Sequence, residues 1–316
     1  MIARGLMSVL FVLTAAACTG SPEDGGDALD ATFSAQLASS WHWVQDPQRV
    51  QVGIFGSDGE GIRVVTGGTI ELSFDYLGVD GSREPVAGAS ATADFIAVPG
   101  SEQPGDLPTL STNNGVYEAE GVVFDQAGIW RATVTAEIDG IGRQLTVSFP
   151  VAEESAIPAP GDPAPRTENL TIDSNVRKGA IDSRADGGGE IPDPGLHRWT
   201  VADAIEEGRP ALVLIGTPAY CTSRLCGPEA DELQRLADSY PDRAVYIHIE
   251  VWKKYRPPEV QVINEGAAEW LFRDGDMTEP WLYLIGGDGI IVDRWGSLFD
   301  SEEVAAAIEA LPPMDA

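Results

Sequence analysis

Between Trp41 and Ala152 the chain alternates apolar and polar residues in short runs broken by Gly, Asp, Ser and Pro. Arg49–Phe55 (RVQVGIF), Thr69–Tyr76 (TIELSFDY), Thr92–Val98 (TADFIAV), Trp130–Ile138 (WRATVTAEI) and Gln144–Phe149 (QLTVSF) are examples. A period of two sends successive side chains to opposite faces of a strand, so each run buries one face and wets the other. Turn signals about every 8–12 residues then predict an all-β sandwich over residues 41–152. Trp41-His-Trp43 is expected to open its first strand. No cysteine pair lies in this stretch, so the apolar faces alone must hold it together.

Two segments of this region, Gly115–Ala119 (GVYEA) and Phe124–Trp130 (FDQAGIW), resemble the closing strands of extracellular immunoglobulin-like modules. The resemblance implies an immunoglobulin-like fold and no particular ligand. Upstream, Arg4, the apolar stretch Leu6–Ala17 and the small residues Ala15–Ala17 precede Cys18 and an acidic segment. The apolar stretch is too short to span a bilayer comfortably and reads as an export signal over 1–18. Small residues before Cys18 resemble a bacterial lipoprotein signal. That resemblance implies lipidation of Cys18, a location on the extracytoplasmic face of the cell membrane, and a tether over 19–40.

Acidic residues outnumber basic ones by 50 to 20, for a net charge of -30, and there are three lysines, Lys178, Lys253 and Lys254. Such a surface repels phosphate backbones, which argues against nucleic acid as a partner. It equally disfavours docking on anionic lipid through a basic patch. Lys253–Arg256 (KKYR) is a small basic run expected to be a solvated loop. Residues 153–195 are dense in Pro and Gly and read as a linker.

From residue 196 to 316 the pattern changes again. Thr200 is placed to cap a short helix ending at Gly208. An apolar strand follows at Ala211–Thr217 (ALVLIGT), then a helix from about Pro228 to Tyr240 and a strand at Ala244–Trp252. A helical stretch near Glu265–Phe272, a hairpin made of Met277–Ile285 and Ile290–Trp295, and a helix over Ser301–Leu311 complete the series. The expectation is a C-terminal α/β domain. Cys221 and Cys226, the two remaining cysteines, lie between the first strand and the helix. A thiol pair at the top of a strand, opening a helix, suits thiol–disulfide chemistry.

The element order, the thiol pair and Pro280 ahead of the strand Trp281–Ile285 resemble the thioredoxin fold over about residues 197–312. The resemblance implies Cys221 and Cys226 as catalytic residues and a substrate groove lined by Tyr220, Arg224, Glu279 and Pro280, with Pro280 in the cis form. It also implies an oxidoreductase acting on the thiols or disulfides of exported proteins or of a redox partner protein, with no cofactor. The spacing departs from Cys-x-x-Cys. On a helix of 3.6 residues per turn an i, i+5 pair is rotated by ~140°, so two helical cysteines at this spacing cannot bond. Cys221 is therefore expected in the loop before the helix, or the first helical turn melts on oxidation. A loop-borne Cys221 would be the nucleophile, with Cys226 resolving and Arg224 favouring the thiolate.

Three other readings stay open. Cys-x4-Cys with Thr after the first Cys resembles the peroxiredoxin Q group, which would make Cys221 peroxidatic and Cys226 resolving. That group has Thr-x-x-Cys, and here Thr217 stands one residue further away. The copper-delivery branch uses Cys-x3-Cys with a distant His, for which His248 is the candidate. His42 and His197 fall elsewhere, so no His cluster and no metal site are expected. Finally, a static disulfide would leave a non-catalytic binding or scaffold lipoprotein.

Overall fold

The alternating segments become β1 (Thr32–Leu37), β2 (Gln48–Ser57), β3 (Ile62–Thr66), β4 (Thr69–Tyr76), β5 (Val86–Ala97), β6 (Thr109–Ser111), β7 (Gly115–Val122), β8 (Gly128–Ile138) and β9 (Ile141–Val151). The computed structural model describes residues 32–57, 61–273 and 275–314. These nine strands form one antiparallel sheet, ordered β6-β3-β2-β7-β5-β4-β8-β9, with β1 added to β2. β1 also lies beside β9, where Arg143 of β9 stacks over Phe33 of β1 at 4.6 Å. The sheet thus curls so that one face encloses the core. β4 shows the period of two directly: Ile70, Leu72, Phe74 and Tyr76 are buried while Thr69, Glu71 and Ser73 are exposed. Phe124 sits at the centre, edge-on to Phe74 (5.6 Å), Trp130 (5.1 Å) and Phe149 (5.6 Å), an arrangement that aromatic quadrupoles favour. Gly67, in the turn joining β3 to β4, has φ +87°, and a Cβ there would lie 2.4 Å from the carbonyl oxygen of Gly105. A side chain at that position is excluded on both counts.

Residues 153–195 form short turns and no strand, yet they bury Ile157, Ala164, Ala180, Ile181 and Ala185. Pro163 bridges Ile290, and the Gly161 amide donates to the Ile291 carbonyl at 2.9 Å.

The remaining elements are α1 (Val201–Glu206), β10 (Ala211–Gly216), α2 (Cys226–Ser239), β11 (Val245–Glu250), β12 (Trp252–Arg256), β13 (Val260–Ile263), α3 (Glu265–Leu271), β14 (Phe272–Arg273), β15 (Asp276–Met277), β16 (Trp281–Ile285), β17 (Ile291–Gly296) and α4 (Ser301–Ala310). A four-stranded sheet runs β11-β10-β16-β17. Only β10 and β11 are parallel in it. Leu212, Leu214, Leu282 and Leu284 face Leu233 and Leu236 of α2 and Val304 and Ile308 of α4. Val213, Ile215, Ile247 and Tyr283 face the other way, against Trp270, Leu271 and Val201. Both faces are covered, which is why every residue of β10, β11 and β16 is buried; β10 and β16 are unbroken apolar runs, while β11 carries His248 and Glu250 among its apolar residues. Thr200 Oγ1 caps α1 by accepting the Asp203 amide at 2.9 Å.

The expected fold class is overturned. Of the described residues 42% are strand and 17% helix, and a curled antiparallel sheet dominates them in place of a sandwich followed by an α/β thioredoxin-like domain. Among the described residues there are four α-helices, and α1 and α3 span only six and seven residues. β12–β13 and β14–β15 are local hairpins that occupy much of the stretch where helix–strand alternation was expected. Lys253–Arg256, read as a solvated loop, belongs to β12.

Two arginines tie the sheets together. Arg49 of β2 forms ion pairs with Asp293 (2.9 Å) and with Glu303 of α4, and lies 5.0 Å from the centre of the Trp295 ring. Arg294 of β17 is only 6% exposed. Its guanidinium lies between Trp43 (4.4 Å) and Trp281 (5.1 Å) and donates to Ser155 Oγ (3.1 Å) and to the carbonyls of Ile157 (3.1 Å) and Pro158. Replacing Arg294 by Ala strands one buried and one half-buried carbonyl and removes both cation–π contacts. We expect a loss of about 3–4 kcal/mol, read as a lower urea midpoint at unchanged slope. Arg294→Lys should recover less than half of it, because an ammonium lacks the planar fork.

Candidate functional site

β10 ends at Gly216, and Thr217 begins the cysteine loop. The amides of Tyr220 and Cys221 both donate to the Thr217 carbonyl, at 3.3 and 3.1 Å, which winds the loop into a turn. A second turn follows, the Arg224 amide donating to the Cys221 carbonyl at 3.3 Å. Arg224 has φ +63°, the left-handed region that a β-carbon disfavours. That reversal carries the chain into α2, whose first residue is Cys226. Cys221 and Cys226 are joined by a disulfide with Cα atoms 6.0 Å apart. Only one cysteine is helical, so the rotation argument is met by the loop. The two sulfurs differ sharply. Cys226 is fully buried, whereas Cys221 is half-buried. Cys221 Sγ accepts the Cys226 amide at 3.4 Å and lies 3.1 Å from Ser223 Oγ.

Cys221 forms part of the wall of a groove of about 690 Å³ between the curled sheet and the cysteine loop. Leu37, Phe55, Val116, Leu225, Met277 and Trp281 give it an apolar lining. Leu225 and Leu298 pack on Ile96, Val98 and Val116, closing the seam below. At the rim, Thr278 Oγ1 accepts from Trp41 Nε1 at 2.6 Å and from Ser40 Oγ at 3.0 Å. Pro280 is buried and follows a cis peptide bond with Glu279. A Cβ built on Gly216 would lie 3.4 Å from Cβ of both Cys226 and Pro280, so strand end, disulfide and proline share one tight contact.

Two carboxyl groups lie behind the loop. Burial pushes Glu250 up to about 7. It accepts the amides of Ser183 (2.8 Å) and Trp252 (3.1 Å). Burial, and then the nearby Glu250, push Glu279 up to about 8; its Oε2 is shielded and has no hydrogen-bond partner.

Cys221, Cys226, Glu279 and Pro280 are therefore gathered at one place. Tyr220 stands behind the groove wall: its ring lies 4.7 Å from that of Tyr255 and its hydroxyl donates to Asp186. Burial, and then the bond to Asp186, push its phenol up to about 12. Arg224 is exposed and forms no ion pair among the described residues, so its part in the site is its backbone. Cys18 lies outside the described residues. Among the described residues no helix is long and apolar enough to cross a membrane. The expectation that the histidines lie apart fails, because the His197 and His248 rings meet at 5.2 Å. Burial, and then His197, push the His248 imidazole down to about 3. His197 comes from the turn before α1 and His248 from the middle of β11, and nothing in their local spacing announces the meeting.

No protein-family model and no curated protein matches the chain. Among solved structures, the crystal structure of MtrC from Shewanella baltica OS185 aligns at a TM-score of 0.24 and 9% identity, covering 46% of this chain and 27% of that one. The chain thus spans about a quarter of that protein's length.

Two outcomes follow from this geometry. Glu250 and Glu279 stay protonated in the folded chain to about 7 and about 8, above their ordinary value of 4.5. Between those limits the folded state holds more protons than the unfolded one, so stability falls as pH rises from about 5 to about 8. Glu279→Gln should flatten this decline in Tm, and an unchanged slope would contradict the assignment. At Arg224, Gly should be at least as stable as the native residue, and Val should lose about 1–2 kcal/mol, in thermal melts of the oxidised protein.

Proposed function

We propose that this chain exchanges disulfides with exported proteins through Cys221, outside the cytoplasm and anchored to the cell membrane through Cys18. The observation that supports this reading is the asymmetry of the pair. Cys221 is half-buried in an apolar groove, while Cys226 is sealed at the first position of α2.

An incoming partner thiolate attacks Cys221 Sγ. The Cys221–Cys226 bond breaks as the partner–Cys221 bond forms, and Cys226 leaves as a thiolate. The positive end of the α2 dipole, at whose first residue Cys226 stands, favours that leaving group. A second partner thiol, after losing its proton, attacks the partner sulfur of the mixed disulfide and releases Cys221. Two electrons pass from the partner dithiol to the protein disulfide. The reverse sequence reduces a partner disulfide, with Cys221 attacking and Cys226 resolving. The apolar lining favours an unfolded or extended segment over a small charged thiol.

The test uses Cys226→Ala, in which Cys221 has no internal partner. This variant should form a stable mixed disulfide with an apolar peptide carrying an activated cysteine. Cys221→Ala, leaving only the sealed sulfur, should react at least about tenfold more slowly. Phe55→Ser should slow the apolar peptide and leave glutathione unaffected. Equal rates for the two cysteine variants, or no adduct at Cys221, would make the disulfide a static brace and the protein a scaffold.

A further inference from the structure

Asp182, His197 and His248 come from three separate segments and meet in the interior, each with a side chain 0% exposed. Asp182 lies ahead of the 3₁₀ turn Ser183–Ala185, His197 ends the turn Pro194–His197, and His248 lies in β11. His248 Nε2 lies 3.1 Å from the Gly216 carbonyl oxygen. A carbonyl only accepts, so this nitrogen carries the proton and donates it. The other nitrogen of the neutral ring, Nδ1, is then a bare lone pair. It faces Asp182 Oδ2 at 3.7 Å, an acceptor facing an acceptor. His197 Nε2 stands 3.4 Å from the same oxygen. Both separations exceed an ordinary N–H···O hydrogen bond. His197 Nδ1, His197 Nε2 and His248 Nδ1 all lack a hydrogen-bond partner. Buried orphans on this scale call for a ligand.

The spacing suits a metal better than a proton. One donor atom from each residue falls within 4.8 Å of the other two. A tetrahedral ion with bonds of roughly 2.0–2.2 Å places its ligands roughly 3.3–3.6 Å apart, close to the 3.4 and 3.7 Å found. Arg184 pairs with Asp182 (2.7 Å), Asp193 (3.0 Å) and Asp231 (3.0 Å). Only the Asp182 side chain of the three is fully buried (0% exposed, against 28% and 75% for Asp193 and Asp231), so the negative charge a metal ion would meet is that of Asp182. The Gly216 carbonyl partner of His248 is also the kind of outer contact that orients a metal-binding imidazole.

We infer that Asp182, His197 and His248 form a buried binding site for a divalent transition metal of the zinc class, with water completing the shell. Two imidazoles and a carboxylate are donors that zinc accepts. The ion is structural. It pins both turns to β11, beneath the loop in which Ser183 Oγ accepts the Ala219 amide at 3.0 Å. The inference stands apart from the disulfide reading, since no sulfur is a ligand.

The experiment strips the full-length oxidised protein with a chelator and returns Zn²⁺ or Co²⁺. About one Zn²⁺ per chain should remain after gel filtration. Tm should rise by about 5 °C when Zn²⁺ is ~100-fold above its dissociation constant. Co²⁺ should give the intense visible bands of a tetrahedral ion, a readout that needs no variant. His248→Gln and His197→Gln should lose the ion. Glu120→Gln, in the more exposed Glu118–Glu120–Glu303 cluster, should keep it. A chain that takes up no Zn²⁺ and shows only weak octahedral Co²⁺ bands would overturn the inference, as would retention of the ion in both histidine variants.

Discussion

The buried guanidinium of Arg294 holds three parts of the chain at one point. It is clasped between Trp43, in the link from β1 to β2 of the curled sheet, and Trp281 of the four-stranded sheet, and it is tied to the Ser155 hydroxyl and the Ile157 carbonyl. A buried cation is costly unless its donors are met. Among the described residues its partners are carbonyls, a hydroxyl and two indole faces, and no carboxylate there forms an ion pair with the guanidinium. Arg49 makes a second tie at the more exposed edge, through Asp293 and Glu303. These two ties join β2 and the β1–β2 link to β17 and α4, beside the groove. Its walls come from β1, β2 and β7 on one side and from the cysteine loop and residues 277–281 on the other.

This arrangement gives the disulfide its character. Five residues of separation force one sulfur out of the helix, and the left-handed Arg224 turns the loop so that the outer sulfur reaches the groove. The inner sulfur takes its place against Gly216 and Pro280. An accessible sulfur paired with a sealed one at a helix start is an arrangement suited to directional exchange, because attack is confined to one atom. Behind the loop, burial raises Glu250 and Glu279 above the usual carboxylate range, which lessens the negative charge of this region in a chain that carries a net charge of -30.

Much of the local structure was legible in the sequence. The alternation over 69–76 and 130–138 marks which side chains point inward, and β4 and β8 follow it residue by residue. The apolar run at 211–216 and the loop position of Cys221 could also be read. Strand partners could not. Alternation tells which face is buried, but it does not distinguish two packed sheets from one sheet curled on itself. The α/β expectation failed for a related reason: element order alone sets neither helix length nor strand pairing, and the segment after β11 folds into hairpins. The Asp182–His197–His248 meeting was invisible because it is made by tertiary contacts between a turn, another turn and a strand. Pro280 and Glu279, to which only the family likeness points, line the same groove as Cys221, in a fold that the likeness does not describe.

The proposed exchange requires the Cys221–Cys226 bond to be a labile redox pair. Its reduction potential tests this most directly, measured by equilibrating the protein in glutathione buffers and counting free thiols. The account predicts a value above roughly -250 mV, in the range of exchange catalysts. A value below roughly -300 mV belongs to structural disulfides and would contradict it.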